Sequence, residues 1–180
     1  MRELADAERI RAFMRALGQE ADEDCRIYFT GGASAVIEGW RRTTIDADIL
    51  VIPDSDRLLQ AIPALKERLR LNVELAAPPD FIPELPGWEA RSRFIDRQGK
   101  VSYYHYDFYA QALAKIERGE SKDLSDVEEM MRRGLVDPAK AWELFARIEA
   151  LLYRYPDISP EEFRKAVVDA LGPERPATVS

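Results

Sequence analysis

The spacing of apolar residues predicts that helices and strands alternate in the amino-terminal part of the chain. Apolar positions three or four residues apart predict a helix over 5–17, and a β-rich run predicts a short strand over 26–30. Residues 45–52, IDADILVI, form the clearest strand. A helix is predicted over 55–69, with a kink or a break at Pro63 because proline lacks the amide donor of a regular helix. Further predicted elements are a short helix over 33–38, strands over 71–76, 93–96 and 100–106, and a proline-rich loop over 77–88.

After residue 107 the apolar spacing is helical throughout. Helices are predicted over 108–117, 123–132, 138–154 and 160–171. The last two begin with a capping residue followed by proline, a pair that favours a helix start. The order of the elements predicts an α+β fold, with a mixed β-sheet flanked by helices and a helical carboxyl-terminal part. The expected domains are 1–134, which contains the sheet, 135–172 as a helical extension, and 173–180 as a disordered tail.

The composition excludes several kinds of site. The 180 residues include one cysteine, Cys25, and one histidine, His105, so the sequence allows no intrachain disulfide, Cys-cluster zinc site or multi-histidine metal site. A net charge of −7 argues weakly against broad, non-specific nucleic-acid binding. The charged amino terminus lacks the apolar core of a signal peptide, and no apolar run approaches the roughly 20 residues of a membrane-spanning helix. We therefore expect a soluble cytoplasmic protein that is not a membrane protein.

Two aspartates on the strand over 45–52 are the first candidates for chemistry. Asp46 and Asp48 are two residues apart, so in a strand both point to one face while Ala47 and Ile49 point to the other. Neighbouring carboxylates repel each other unless a cation lies between them, and their hard oxygen atoms favour magnesium or manganese. An exposed edge strand with two solvated aspartates is the alternative interpretation of the pair.

A glycine pair follows the strand over 26–30. Gly31 and Gly32 lie between this strand and the predicted helix over 33–38. Without side chains, their backbone amides can approach an anion closely, and a helix start favours negative charge. An ordinary tight turn is the alternative. The glycine pair and the aspartate pair together are more informative than either alone.

The order of strand, Gly31-Gly32, helix, and then Asp46-Ala47-Asp48-Ile49 on a second strand resembles the nucleotidyltransferase superfamily. This superfamily includes DNA polymerase beta and kanamycin nucleotidyltransferase. Its members typically carry a third carboxylate on a later strand, for which Glu74 is the best match and Asp80 a weaker one. Many active members have serine at the position of Gly32, although glycine also occurs there.

The similarity extends over roughly residues 26–133, where the sequence resembles a bacterial branch near the AbiEii-type toxins and related DUF6036-like proteins. In that branch a helix with a lysine precedes a Lys/Arg-Asp-x-x-Asp segment. Lys115 and the segment KDLSD, residues 122–126, occupy these places. The resemblance implies that Asp123 and Asp126 orient a lysine or cap a helix.

The resemblance also implies a metal-dependent transfer of a nucleotide from a nucleoside triphosphate to a hydroxyl group of RNA, such as tRNA, or of a protein. The catalytic and metal-binding carboxylates would be Asp46, Asp48 and Glu74, holding magnesium (Mg²⁺) or manganese (Mn²⁺). The nucleotide-binding residues would be Gly31, Gly32, Thr30, Ser34 and Lys115. A toxin role and an antitoxin-like protein partner follow from the same branch. The alternatives are a catalytically degenerate module that regulates a partner protein, and a structural protein that dimerises through its helical end.

Three further features have both a functional and a structural explanation. The aromatic run over 103–109 could stack a nucleotide base, but a strand with one face on the core explains it better. His105 could be a general base, although a single histidine in a strand is more often structural. Arg41-Arg42 could steer a phosphate or an RNA acceptor, or could simply lie in a surface loop.

Overall fold

The computed structural model describes residues 3–175 of the chain. The chain forms two compact units, the first made of Met1–Ala77 and Ser92–Tyr106, the second of Pro78–Arg91 and Asp107–Ser180. The predicted boundary between residues 134 and 135 falls inside the second unit, and the division into domains stays a prediction. Of the predicted disordered tail, residues 176–180 lie outside the described part of the chain.

The first unit holds the sheet and the helices that alternate with its strands. Asp6 and Ser55 cap the first and third of these helices, because their side chains accept hydrogen bonds from the amides of Arg9 and Leu58. The elements are α1 (Ala7–Glu20), β1 (Cys25–Thr30), α2 (Gly31–Glu38), β2 (Asp46–Ile52), α3 (Asp56–Leu69), β3 (Asn72–Leu75), β4 (Arg93–Gln98) and β5 (Val101–His105).

The second unit contains helices and connecting loops. Its elements are α4 (Trp88–Arg91), α5 (Phe108–Arg118), α6 (Ser121–Arg132), α7 (Pro138–Glu149) and α8 (Pro160–Leu171), with 3-10 turns at Pro78–Asp80 and Leu152–Arg154. Asp137 and Ser159 cap α7 and α8 with their side chains, which confirms the predicted helix starts. Between residues 3 and 175, none of the helices has the length and apolar character needed to cross a membrane.

The α+β class is confirmed, and most elements begin and end within three residues of the predicted positions. α3 continues through Pro63 as one helix, since Pro63 lies on the exposed side while Leu58, Ile62 and Leu65 hold the helix on the core. α7 ends at Glu149, five residues before the predicted end, and a 3-10 turn follows it. α2 begins at the glycine pair itself rather than after it.

The sheet is mixed, and its strand order is β3-β2-β1-β5-β4. β1 runs parallel to β5 and antiparallel to β2, while β3 is parallel to β2 and β4 antiparallel to β5. Alternate strand residues face a core that also contains apolar residues of α1, α2 and α3. The strand residues in this core are Cys25, Ile27, Phe29, Ala47, Ile49, Val51, Val73, Val101 and Tyr103. The opposite face of the same strands carries the polar candidates.

Gly18→Ala tests the close approach of α1 to the turn between β4 and β5. A Cβ atom at Gly18 would lie 2.5 Å from the carbonyl oxygen of Gln98, and one at Gly99 would overlap the carbonyl oxygen of Gly18. Alanine normally stabilises a helix by about 1 kcal/mol relative to glycine. Here we expect a net loss of about 1–3 kcal/mol, because the turn must move to admit the methyl group. Urea denaturation measures the free energy of unfolding, and a gain in that energy would contradict the close packing.

Candidate functional site

β2 presents its two aspartates on the face of the sheet opposite the core. Asp46 and Asp48 are half-buried and alternate with buried residues, as predicted. β3 pairs with β2 in parallel, so that Asn72 lies beside Asp46 and Glu74 beside Asp48. β2 is therefore not an edge strand, and the alternative of two solvated aspartates on a sheet edge does not hold. Four polar side chains share one corner of the sheet.

The side-chain amide of Asn72 connects two of the carboxylates in this corner. Its Nδ2 atom donates to Asp46 Oδ1 at 2.5 Å and to Glu74 Oε1 at 3.1 Å. A group with partial positive charge thus lies between carboxylates that would otherwise repel each other. Across residues 3–175, no three or more His, Cys, Asp or Glu side chains are arranged to hold a metal ion. The oxygen donors nevertheless suit a hard divalent cation, and two of them already meet at a single nitrogen atom.

Gly31 brings the start of α2 against Asp48. Its φ is +64°, a conformation that other residues rarely adopt, and a Cβ atom there would lie 3.0 Å from Asp48 Oδ2. Thr30 is buried at the end of β1 and pairs with Asp48 across the sheet. Because α2 begins at Gly31, the amides of the glycine pair belong to its first turn, where N–H groups point out of the helix. The glycine pair and the aspartate pair therefore meet within the first unit.

Gly32 is required for a different reason, which is lack of space. A Cβ atom at Gly32 would overlap Thr44 Oγ1, would lie 2.8 Å from Thr44 Cβ, and would lie 3.3 Å from Nη1 of Arg41. The hydroxyl of Thr44 donates to the backbone oxygen of Asp46 at 3.0 Å, and Thr44 is 6% exposed. The space that a serine side chain would fill at position 32 is thus taken by a threonine hydroxyl and a guanidinium group.

Ser34 is connected to His105 and, through it, to Glu38. Ser34 Oγ lies 2.7 Å from His105 Nδ1, and His105 Nε2 lies 3.2 Å from Glu38 Oε1. Ser34 is fully buried, so the structure positions its hydroxyl group on an interior histidine. The contacts attach the middle and the carboxyl-terminal end of α2 to β5 and so fix the helix whose first turn contains the glycine pair. Spacing along the chain does not indicate this connection, because the three residues share no motif.

His105 is neutral in this setting. Burial, together with the positive charges of Arg93 on β4 and Arg11 on α1, lowers its pKa to about 3. The carboxylate of Glu38 favours the tautomer with the proton on Nε2. Ser34 Oγ then donates its hydrogen to Nδ1. The arrangement resembles a serine–histidine–carboxylate relay in its residue types, but the buried hydroxyl marks it as a structural connection.

Lys115 lies in the second unit, on α5, and belongs to a buried ion-pair cluster with α6. Its ammonium group lies 2.8 Å from Asp126 and 3.5 Å from Asp123, and Arg118 also contacts Asp123. Burial raises the pKa of Asp123, but Arg118 and Lys115 together hold it below its usual value. Lys115 is 6% exposed, so it is a buried lysine and not a solvated one on the helix surface. Asp80, the weaker carboxylate candidate, also lies in the second unit.

The first three residues of the aromatic run over 103–109 have the alternation predicted for a strand, whereas Phe108 and Tyr109 belong to α5. In β5, Val101, Tyr103 and His105 are buried and the intervening residues are half-buried. Tyr103 stacks on Phe29 at 5.7 Å between ring centroids and donates to the backbone oxygen of Met14. Its face of β5 is therefore part of the core.

A family model described as a nucleotidyltransferase of unknown function (DUF6036) matches residues 6–165. The searches of curated proteins and of solved structures found no significant match. The closer resemblance to AbiEii-type toxins stays a prediction.

Gly32→Ser tests whether Thr44 has taken the space of a serine side chain. We expect a loss of about 1–3 kcal/mol in the free energy of unfolding, because the new Cβ atom would overlap Thr44. Thr44→Ala removes the nearest atom and should recover part of that loss. Urea denaturation of both single variants, the double variant and the wild type gives the coupling energy, which we expect to exceed about 0.5 kcal/mol. If the two substitutions change the free energy of unfolding additively, Thr44 does not occupy the space that a serine side chain at position 32 would need.

His105→Gln tests the neutral histidine through the pH dependence of stability. An unfolded histidine takes up a proton near pH 6.5, whereas the folded one stays neutral down to about pH 3. The unfolded state therefore binds more protons in this window, and stability decreases as the pH falls from 6.5 towards 3, by at most about 1.4 kcal/mol per pH unit. Denaturation between pH 7.5 and 5.0 should show a steeper decrease for the wild type than for the variant. Equal slopes would refute the neutral state.

Proposed function

Because the chain belongs to the nucleotidyltransferase family DUF6036, whose model matches residues 6–165, we propose that it transfers a nucleotide from a nucleoside triphosphate to a hydroxyl group. The observation that carries the proposal is the close approach of Gly31 and Asp48. A Cβ atom at Gly31 would lie 3.0 Å from Asp48 Oδ2, so the anion-binding turn and the carboxylate pair form one corner. A phosphate chain and a cation both fit the chemistry of such a corner.

Asp46 and Asp48 are the proposed metal ligands, with Glu74 as the third carboxylate. All three lie on one face of the adjacent strands β2 and β3. A bound magnesium or manganese ion would neutralise phosphate charge and polarise the reacting oxygen. For the ion to reach Asp46 and Glu74 together, the Asn72 amide that now bridges them must rotate away.

The remaining groups bind and orient the reactants. The amides of Gly31 and Gly32 would receive phosphate oxygens at the first turn of α2. Thr30 adds a hydroxyl group next to Asp48, while the Ser34 hydroxyl fixes α2 through His105. In the transfer, the acceptor oxygen bonds to the α-phosphorus, the bond from that phosphorus to the bridging oxygen breaks, and pyrophosphate leaves. A carboxylate of the corner takes the hydroxyl proton.

The acceptor is proposed from the sequence resemblance alone. We propose a hydroxyl group of RNA, such as tRNA, or of a protein, and with it a toxin role opposed by an antitoxin-like partner. Lys115 remains a proposed phosphate ligand, although two aspartates, Asp123 and Asp126, already neutralise it. Those contacts support the orienting role suggested for both aspartates.

A second candidate function is a degenerate module that keeps the fold and regulates a partner protein. The contact that favours it is the one between the Asn72 amide, Asp46 and Glu74, because a donor amide in this position satisfies the carboxylates without a metal ion. The two candidates differ in whether a divalent cation and a nucleotide displace that amide.

Asp46→Asn and Asp48→Asn distinguish the candidates. The wild type is incubated with each labelled nucleoside triphosphate, magnesium or manganese, and total small RNA or protein extract, and label transfer is measured. We expect each variant to lose transfer by about 100-fold or more, and a chelator to abolish it in the wild type. Asp54→Asn is the matched control, since Asp54 is an exposed aspartate two residues after β2.

Full transfer by both aspartate variants would refute the proposed site. Absence of transfer and of nucleotide binding in a folded wild type would favour the degenerate module. Calorimetric titration of the four triphosphates with magnesium provides the binding measurement.

A further inference from the structure

Arg41 is the cationic side chain that the structure positions over the glycine pair. Its Nη1 atom would lie 3.3 Å from a Cβ atom at Gly32, while Asp48 Oδ2 would lie 3.0 Å from one at Gly31. A guanidinium group and a carboxylate thus border neighbouring residues of the same turn. The next residue, Arg42, is exposed, whereas Arg41 is half-buried. The two arginines are therefore not equivalent, although the sequence offers them as a pair.

The segment that carries Arg41 is fixed at both ends. At its start, the amides of Gly39, Trp40 and Arg41 all approach the carbonyl oxygen of Ala35, at 2.9, 3.2 and 3.4 Å. At its end, Thr44 exchanges two backbone hydrogen bonds with Ala5, at 2.7 and 2.9 Å. The threonine hydroxyl adds a bond to the first residue of β2. The backbone that carries the guanidinium group is therefore held in place, which lowers the entropy lost when the group binds a ligand.

Arginine is suited to phosphate in a way that lysine is not. Its planar guanidinium group presents parallel N–H donors that match two phosphate oxygens, and it stays charged at every physiological pH. At Gly32 the absence of a side chain leaves this guanidinium group close to the backbone of the turn. A phosphate chain at the first turn of α2 would therefore meet donors from the backbone and from Arg41 together.

We propose that Arg41 binds the β- and γ-phosphates of the nucleoside triphosphate. Thr44 is the positioning residue that holds the segment carrying Arg41 to β2. This inference rests on the proposed function, because it assigns a phosphate ligand in the same corner. In this chain the hydroxyl of Thr44 and the guanidinium of Arg41 occupy the space that a serine at position 32 would need. Discrimination between triphosphate and monophosphate then depends on Arg41.

The test is a series of calorimetric titrations in magnesium buffer. The ligands are the best-binding nucleoside triphosphate of the four, its diphosphate and its monophosphate. The proteins are the wild type, Arg41→Gln, Arg41→Lys and the matched control Arg42→Gln. We expect Arg41→Gln to weaken triphosphate binding by about 10- to 100-fold, the effect of losing a charge-assisted contact, and to leave monophosphate binding within about 2-fold.

The other variants and their thermal unfolding separate the effect of the arginine's charge on nucleotide binding from any effect on folding. Arg41→Lys keeps the charge and the aliphatic stem but not the paired donors, so we expect an intermediate loss of triphosphate affinity. Arg42→Gln should bind all three nucleotides as the wild type does. Thermal unfolding of each variant checks that the fold is intact, and Arg41→Lys carries the test if Arg41→Gln does not fold.

Three results would overturn the inference. If the wild type binds triphosphate and both Arg41 variants bind it equally well, Arg41 is not a phosphate ligand, while the proposed function stands. If Arg41→Gln weakens the binding of all three nucleotides by the same factor, the residue has a structural role only. If the folded wild type binds no triphosphate, the proposed function and the inference fail together.

Discussion

Burial of one face of β2 against α1, α2 and α3 is the constraint on which the site depends. Ala47, Ile49 and Val51 lie in that core, and a strand alternates its side chains between two faces. Asp46 and Asp48 must therefore point away from it. A shift of one residue in the register would bury both carboxylates and expose the apolar set, which is far more costly than any local contact in the corner.

Two neighbouring glycines serve this corner for separate physical reasons. Gly31 supplies a left-handed backbone conformation and leaves room for the Asp48 carboxylate. Gly32 leaves room for Thr44 and Arg41, which come from the segment just before β2. The glycine pair therefore allows two chain segments to approach each other closely. Because glycine has no side chain, the pair also leaves its own backbone amides uncovered. The glycine pair, which the sequence alone could explain as an ordinary tight turn, is a site of tight packing in the fold.

Charge in the first unit is balanced by neutral groups as well as by ions. The Asn72 amide stands between Asp46 and Glu74, and the neutral imidazole of His105 joins Ser34 to Glu38. Amides and neutral rings satisfy buried or crowded polar atoms at less desolvation cost than a full charge. The second unit uses full charges instead, since Lys115 lies between two carboxylates in its interior.

The sequence alone determined the α+β class, the helix and strand order, and the pairing of Asp46 with Asp48 on one strand face, because these follow from local periodicity and capping. The family resemblance implied a third carboxylate on a later strand, for which Glu74 was a better match than Asp80, and the structure puts Glu74 beside Asp48. The tertiary structure decided the bridge through Asn72, the position of Arg41 over Gly32, and the contact of Ser34 with His105 seventy-one residues later in the chain. These contacts depend on which strands become neighbours and how loops pack on them, and sequence spacing carries no record of either.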